Sequence, residues 1–432
     1  MATTKMAGAD ATWLHMDRPK NPMVLNTVLW FDGEVGLDEI ERSFLERVVS
    51  RFEVFRSRPA DPPITIGLVM PRWEPVDVDA RDHVFRVRLP RPGDDGALHT
   101  YVGREAAHAL DHGFPLWQLH LIEGHRYGVA VLLRTHHAMG DALSVMHVLE
   151  QWADGRSARS SRLDGSKRPR VDWADRFGIE GVSIGSVKRD AGMLGRLVTG
   201  MPSKAAVLGG DLNGVKVVTW TEPVPVDRLK KVGAVTQATV NDVALAAITG
   251  AIRRCVEGAA AAAQVEAIVP VTVRPRGERL DGDLGNRFGL VFVPLPVDAE
   301  DEQVRILRIK GSMDDVKGTR EARTVFDALT ALGSAPTRGA QAWVDAYARR
   351  GSVVITNIPG SRRSLTIASH PVAGMMTWVP STGPVGLSIS VCSHADDVRF
   401  GIIADAAVLP GVVDLAEALE AELRAVALVD AD

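Results

Sequence analysis

The run His136-His137-Ala138-Met139-Gly140-Asp141 puts two imidazoles and a carboxylate within one short segment. An imidazole titrates near neutral pH and can take a proton as a general base. The run follows an apolar stretch, Tyr127 to Thr135 (YGVAVLLRT), and precedes a helical pattern. It therefore occupies a strand-to-helix junction. Side chains alternate along a strand, so the two histidines point to opposite sides and only one can face a given active site. Asp141 stands where the helix dipole favours a carboxylate and where it can cap the helix. Gly140 permits a tight turn between histidine and aspartate. Plainer readings stand beside the catalytic one: a histidine pair satisfied within a core, and an aspartate that only caps.

Two other features could carry chemistry. Gly181-Val182-Ser183-Ile184-Gly185 matches the G-x-S-x-G pattern of a nucleophile elbow. That elbow needs a hydrophobic strand before the serine and a helix after it. Trp173-Ala174-Asp175-Arg176-Phe177-Gly178 is no such strand, which argues against a serine hydrolase. The two cysteines, Cys255 and Cys392, lie in no close-spaced pattern, so neither a disulfide framework nor a zinc site is expected.

The elements that would hold the histidine run can be read from periodicity. Met23 to Phe31 reads as a strand closed by Asp32-Gly33. Leu37, Ile40, Phe44 and Val48 mark one face of a helix over Leu37 to Arg51. A second helix is expected over Thr100 to Leu110 and a strand over Trp117 to Ile122, and Tyr127 to Thr135 reads as a central strand. Leu143, Met146, Leu149 and Trp152 give the apolar face of the helix after the motif. From Arg156 the chain becomes basic and polar, broken by Gly165 and Pro169. Patterned sequence resumes near Val215. Strands are expected over 216–224, Val265 to Val273, Gly289 to Leu295, Val353 to Thr356, Leu387 to Cys392 and Val398 to Ala404. One helix carries Leu245, Ile248, Ile252 and Cys255, and a last one starts at Asp414 as N-cap with Glu417 behind it. This predicts two α/β sandwich domains: 1–155 with the histidine run, a crossover segment 156–214, and 215–432.

At 432 residues, 46% hydrophobic and 24% charged, the chain is globular and long enough for two or three domains. A net charge of −4 argues against a dedicated nucleic-acid binder. No basic region followed by an apolar run opens the chain, and no stretch approaches 18 uninterrupted apolar residues. A cytoplasmic protein is expected, soluble or peripheral on the inner face of a membrane.

The run His136 to Ala142 resembles the HHxxxDG motif of the bacterial wax ester synthase/diacylglycerol acyltransferase family, within the CoA-dependent acyltransferase superfamily. Further segments match in order: Pro115-Leu116-Trp117, Asn241-Asp242-Val243, Val269-Pro270-Val271-Thr272-Val273-Arg274, Gly285-Asn286, Thr356-Asn357-Ile358-Pro359-Gly360, and Phe400-Gly401 with Asp405. The chain departs from the motif at Ala142, where the family has glycine. The position matters because its backbone N–H is a candidate oxyanion donor.

The resemblance implies two chloramphenicol-acetyltransferase-like domains with a substrate tunnel between them. It implies transfer of a fatty acyl group from acyl-CoA to a hydroxyl, such as that of diacylglycerol or a long-chain alcohol. His137 would be the general base, with His136 beside it. Asp141 would hold the loop through an ion pair with Arg274, or failing that Arg276. Gly140 and Ala142 would shape the loop and oxyanion site, and Asn241, Asp242 and Asn357 would cap helices or brace turns. Acyl-CoA is a substrate, and no separate cofactor or metal is expected. Two alternatives share the motif: a stand-alone condensation enzyme fed by a carrier-protein thioester, and a catalytically silent binding relative. A lipid acceptor would also require contact with a membrane or lipid-droplet surface. The basic residues Arg156, Arg159, Arg162, Lys167, Arg168 and Arg170 offer one means, and a solvated linker is their plainer reading.

Overall fold

The structure is a computed structural model and describes residues 3–60, 70–154, 208, 210–255, 265–275, 280, 284–361 and 363–426. The basic stretch 156–170, the Gly181–Gly185 run and Arg276 lie outside the described residues.

Two twisted sheets dominate. The first runs in the order Thr366–Ile367, His370–Trp378, Val24–Asp32, Gly128–His136, Trp117–His125 and Val84–Arg88. Its strands are antiparallel except at the Val84–Arg88 edge. Val24–Asp32 is buried along all but its last residue, and Gly128–His136 is buried beyond its first, as expected of central strands with near-continuous apolar sequence. The second sheet runs Phe288–Leu295, Val265–Thr272, Val353–Ile358, Leu387–His394, Asp397–Asp405 and Lys216–Trp220. Val224–Pro225 also pairs with Asp397–Asp405. A small third sheet joins Thr4–Lys5, Arg72–Pro75 and Ser57–Ala60.

The halves are interlocked rather than merely adjacent. The strand His370–Trp378, from late in the chain, pairs with Val24–Asp32 in the first sheet. Gly374 makes this possible: a Cβ there would come within 2.2 Å of the Trp30 ring. Trp30 stacks on Trp220 at 5.4 Å, and Trp220 meets Trp378 at 5.6 Å, so an indole ladder joins strands of both sheets. At the other end of the chain, the helix Gly8–Met16 docks on the helices Glu321–Leu332 and Thr337–Ala348 of the second half.

Several boundaries differ from the sequence reading. The helix expected over 100–110 starts at Asp95, because Asp94 caps it by accepting from Ala97 N–H at 2.9 Å. The helix from Leu37 ends its regular turns at Phe44 and closes as a π-helical turn, Leu45–Val49. The last helix starts at Val412, so Asp414 lies in its first turn and is not its N-cap. Gly8–Met16, Glu302–Gly318, Glu321–Leu332, Thr337–Ala348 and His370–Trp378 were not anticipated. Both cysteines are free, Cys255 exposed and Cys392 buried.

Candidate active site

The strand Gly128–His136 ends at His136, whose ring is fully buried. Its Nδ1 accepts a hydrogen bond from Ala138 N–H at 3.0 Å. That bond places the neutral ring's proton on Nε2, which faces Asp17 Oδ2 at 3.6 Å. His112 reaches the same oxygen at 3.2 Å. Burial favours the neutral acid of Asp17, but the hydrogen bond from His112, the nearby His136 ring and the Met23 N–H outweigh it and hold the carboxyl well below its usual range. Asp17, His112 and His136 bring their ligand atoms within 4.8 Å of one another. A metal would need a lone pair on His136 Nε2, and the proton there denies it. His136 is thus a tether to Asp17, whose Oδ1 also accepts from Met23 N–H at 2.8 Å.

His137 turns the other way. Its N–H donates to Met23 O at 2.7 Å, and its carbonyl accepts from Gly140 N–H at 3.2 Å and from Asn286 Nδ2 at 2.7 Å. The ring stacks on Trp13 at 4.5 Å with an 18° tilt, and Phe288 lies 5.7 Å away. Only 7% of the residue is exposed. Burial pushes its pKa down to about 4, opposed chiefly by its own backbone carbonyl. At neutral pH the imidazole is therefore uncharged, as a base must be.

Gly140 crosses the loop so closely that a Cβ would lie 2.6 Å from Ser144 Cβ. Its N–H is engaged by His137 O, which leaves it unavailable to a substrate oxyanion. Asp141 then caps the helix Ala142–Trp152, accepting from Ser144 N–H at 2.9 Å. Its other oxygen takes Arg274 Nη2 at 3.2 Å and Arg287 N–H at 3.1 Å. The Asp141 and Arg274 side chains are 8% and 5% exposed, so this pair is buried. Arg274 also donates to Gly285 O at 2.6 Å. Ala142 occupies the first helical position, a conformation that alanine adopts freely, so the missing motif glycine does not distort the loop. A helix leaves the N–H at that position without an intrahelical acceptor.

The other residues quoted from the motifs lie elsewhere. Asp242 accepts from Thr239 N–H at 2.8 Å while Thr239 Oγ1 accepts from Asp242 N–H at 3.2 Å, a reciprocal cap opening the helix Val240–Cys255, in which Asn241 is half-buried. Asn357 corrects the expectation of a turn or cap: it is exposed within the strand Val353–Ile358, opposite Val391. Asp405 is buried, accepts from Asn213 and Gly214 N–H, and sits 3.5 Å from Lys216.

Sequence reasoning missed the residues that grip the motif from outside it. Asp10 and Trp13 lie on a nine-residue helix in a segment to which the sequence reading assigns no element. Ser144, Asn286 and Phe288 were passed over or quoted without a role. The one legible signal was the three-residue spacing of Asp10 and Trp13, which puts both on one helix face. Beside the loop, an apolar space of about 260 Å³, open solvent included, is lined by Phe55, Leu133, Thr135, Met139, Gly140, Ser144, Val145, Val148 and Leu284.

Together, the two sheets and the histidine run at a strand-to-helix junction define an α/β protein with two sheet-rich halves. Residues 6–173 match the wax ester synthase/diacylglycerol acyltransferase catalytic domain, and residues 284–427 match the WS/DGAT C-terminal domain. The chain belongs to the wax ester synthase/diacylglycerol acyltransferase family. A probable diacylglycerol O-acyltransferase of Mycobacterium tuberculosis is 29% identical over 397 residues, covering 87% of this chain and 84% of the relative. Among solved structures, the wax ester synthase/diacylglycerol acyltransferase of Marinobacter aquaeolei VT8 shares the fold with a TM-score of 0.70 at 21% identity, covering 99% of both chains. The first condensation domain of the CDA synthetase shares it with a TM-score of 0.65 at 17% identity, covering 100% of this chain and 97% of that one.

Proposed function

We propose that this chain transfers a fatty acyl group from acyl-CoA to the hydroxyl of diacylglycerol or a long-chain alcohol, with His137 as general base. The observation that carries the reading is the His137 ring, packed against Trp13 and Phe288 and held uncharged by its burial. His137 Nε2 takes the hydroxyl proton as the oxygen attacks the thioester carbon. The oxyanion that forms is met by the free N–H of Ala142. When the C–S bond breaks, the CoA thiolate takes that proton back from His137. General-base assistance contributes roughly 10²- to 10⁴-fold in rate. Both substrates bind before chemistry, no acyl-enzyme forms, and nothing beyond the acyl-CoA substrate is needed as cofactor. Asp141 and Arg274 fix the loop from residues 1–155 against residues 215–432.

A lipid acceptor requires a lipid surface. No helix among the described residues is long and apolar enough to cross a membrane, so the basic residues of 156–170 are assigned the docking role, on the strength of their sequence alone. Purified protein incubated with acyl-CoAs and a panel of alcohols and diacylglycerols, with free CoA followed, tests the activity. CoA release that needs both substrates and vanishes in His137→Ala is the expected result; acceptor-independent release, or none with any acceptor, overturns it. Cosedimentation with anionic liposomes at low salt, lost when the six basic residues become serine, tests the docking.

A further inference from the structure

The helix Gly8–Met16 touches the motif at two points. Trp13 covers the face of the His137 ring at 4.5 Å. Three residues earlier, Asp10 accepts twice on the same oxygen: from the backbone N–H of Asn286 at 2.8 Å and from its side-chain Nδ2 at 2.7 Å. Asn286 Nδ2 also donates to the carbonyl of His137 at 2.7 Å. One carboxamide group thus bridges a buried carboxylate and the backbone of the histidine. The carboxylate itself is costly. Asp10 is 6% exposed, and no cation within ion-pair distance of it is recorded among the described residues. An apolar side chain would fill the space more cheaply, because a buried acid without a charged partner is destabilising. Burial raises the Asp10 pKa to about 7, against the Asn286 hydrogen bonds that favour the ionised form. The fold carries this cost at a place where it gains direction rather than packing.

We propose that Asp10 is a positioning residue for acyl transfer: by holding the Asn286 carboxamide it fixes the His137 carbonyl, and with it the orientation of the His137 ring. This rests on His137 being the base. No hydrogen bond reaches the ring Nδ1 among the described residues, so the ring takes its direction from its pinned backbone and from the Trp13 and Phe288 rings packed on it. The helix that carries Asp10 cannot drift. Thr12 Oγ1 donates to Leu329 O at 2.5 Å, and Gly8 lies so near Thr330 that a Cβ would fall 2.1 Å from its carbonyl oxygen.

The test compares Asp10→Ala, Asn286→Ala, the double variant and Asp10→Asn with the wild type. Asp10→Ala and Asn286→Ala are each expected to lower kcat roughly 10- to 100-fold, the scale of a misplaced catalytic group. KM for acyl-CoA and for the alcohol should stay within about twofold, because the lost interaction serves the transition state. The double variant should lose no more than the worse single one, since both cut the same link. Asp10→Asn keeps an oxygen for both Asn286 donors and should recover most of the loss. Ring ¹⁵N and ¹H shifts of His137 should move in Asp10→Ala and return toward the wild-type values in Asp10→Asn. Wild-type kcat and unchanged ring shifts in both alanine variants would overturn the proposal. So would a loss shared by kcat and KM that Asp10→Asn does not restore, the signature of a purely structural group. If Asp10→Ala does not fold, Asn286→Ala cuts the same link from its other end and is judged by the same readouts. Activity retained by His137→Ala would instead sink the base assignment, which separates that failure from this one.

Discussion

The two ends of the loop from His137 to Asp141 are gripped from outside it, but by different physics. At the Asp141 end the grip is ionic: the carboxylate meets the Arg274 guanidinium, Arg287 N–H and Ser144. At the His137 end it is made of an amide bridge to the Asp10 carboxyl and two aromatic rings, with no ion pair among the described residues. Arg274, Asn286 and Phe288 all come from the second half, so the loop has its full set of partners only when both sheets are assembled.

This contrast can be broken at either end. His137→Ala should have the largest effect, removing transfer altogether in the CoA-release assay while circular dichroism stays native. His136→Ala should be milder, because its ring serves Asp17 and not the substrate. Full activity in His137→Ala would erase the distinction between the two histidines.

Asp141→Ala comes next, and its effect should be on folding. It leaves the Arg274 charge buried without its partner, a change that costs on the order of 3–5 kcal/mol. Urea unfolding should show a lower midpoint at unchanged slope. An unaltered midpoint would mean that the ion pair contributes nothing to the fold.

The two ends should also separate with pH. Asp10 has its folded pKa raised to about 7 from 3.8. Its contribution to stability is full below pH 3.8 and is lost as pH rises through 7. His137 runs the opposite way: its folded pKa is lowered from 6.5 to about 4, so its contribution is present above pH 6.5 and is lost as pH falls through 4. The stability of Asp10→Asn relative to wild type should therefore increase between pH 4 and pH 7, read as the difference in Tm. A difference that does not change with pH would mean that Asp10 stays ionised throughout.

Ala142→Gly should do least. The alanine already sits at a helical position, so glycine should cost about 0.5–1 kcal/mol and alter kcat by less than about threefold. A large gain in activity would show that the departure from the family motif does matter.

Much of this was legible in the sequence. Most of the long strands of both sheets were marked by apolar runs, because a strand buried on both faces has no polar side to show. The strand-to-helix junction around His137 and Asp141 was set by local rules of alternation and capping. Arg274 could be named from its place after the PVTV segment, although its only alternative, Arg276, falls outside the described residues. The strand His370–Trp378 was not legible: its sequence carries Gly374 and Pro371 and no clear alternation, and it becomes a strand because Val24–Asp32 offers it an edge.

The sequence by itself determined which side chains can do the chemistry, the strand that ends at them and the helix that follows, since those depend on residue type and near neighbours. Only the tertiary structure decided which groups surround them. Asp10 and Asn286 are 276 positions apart, and Asp141 and Arg274 are 133 apart. No local preference encodes such pairs. They form because burying two apolar sheets against one another, with one strand exchanged between the halves, leaves a single place for each polar group to be satisfied.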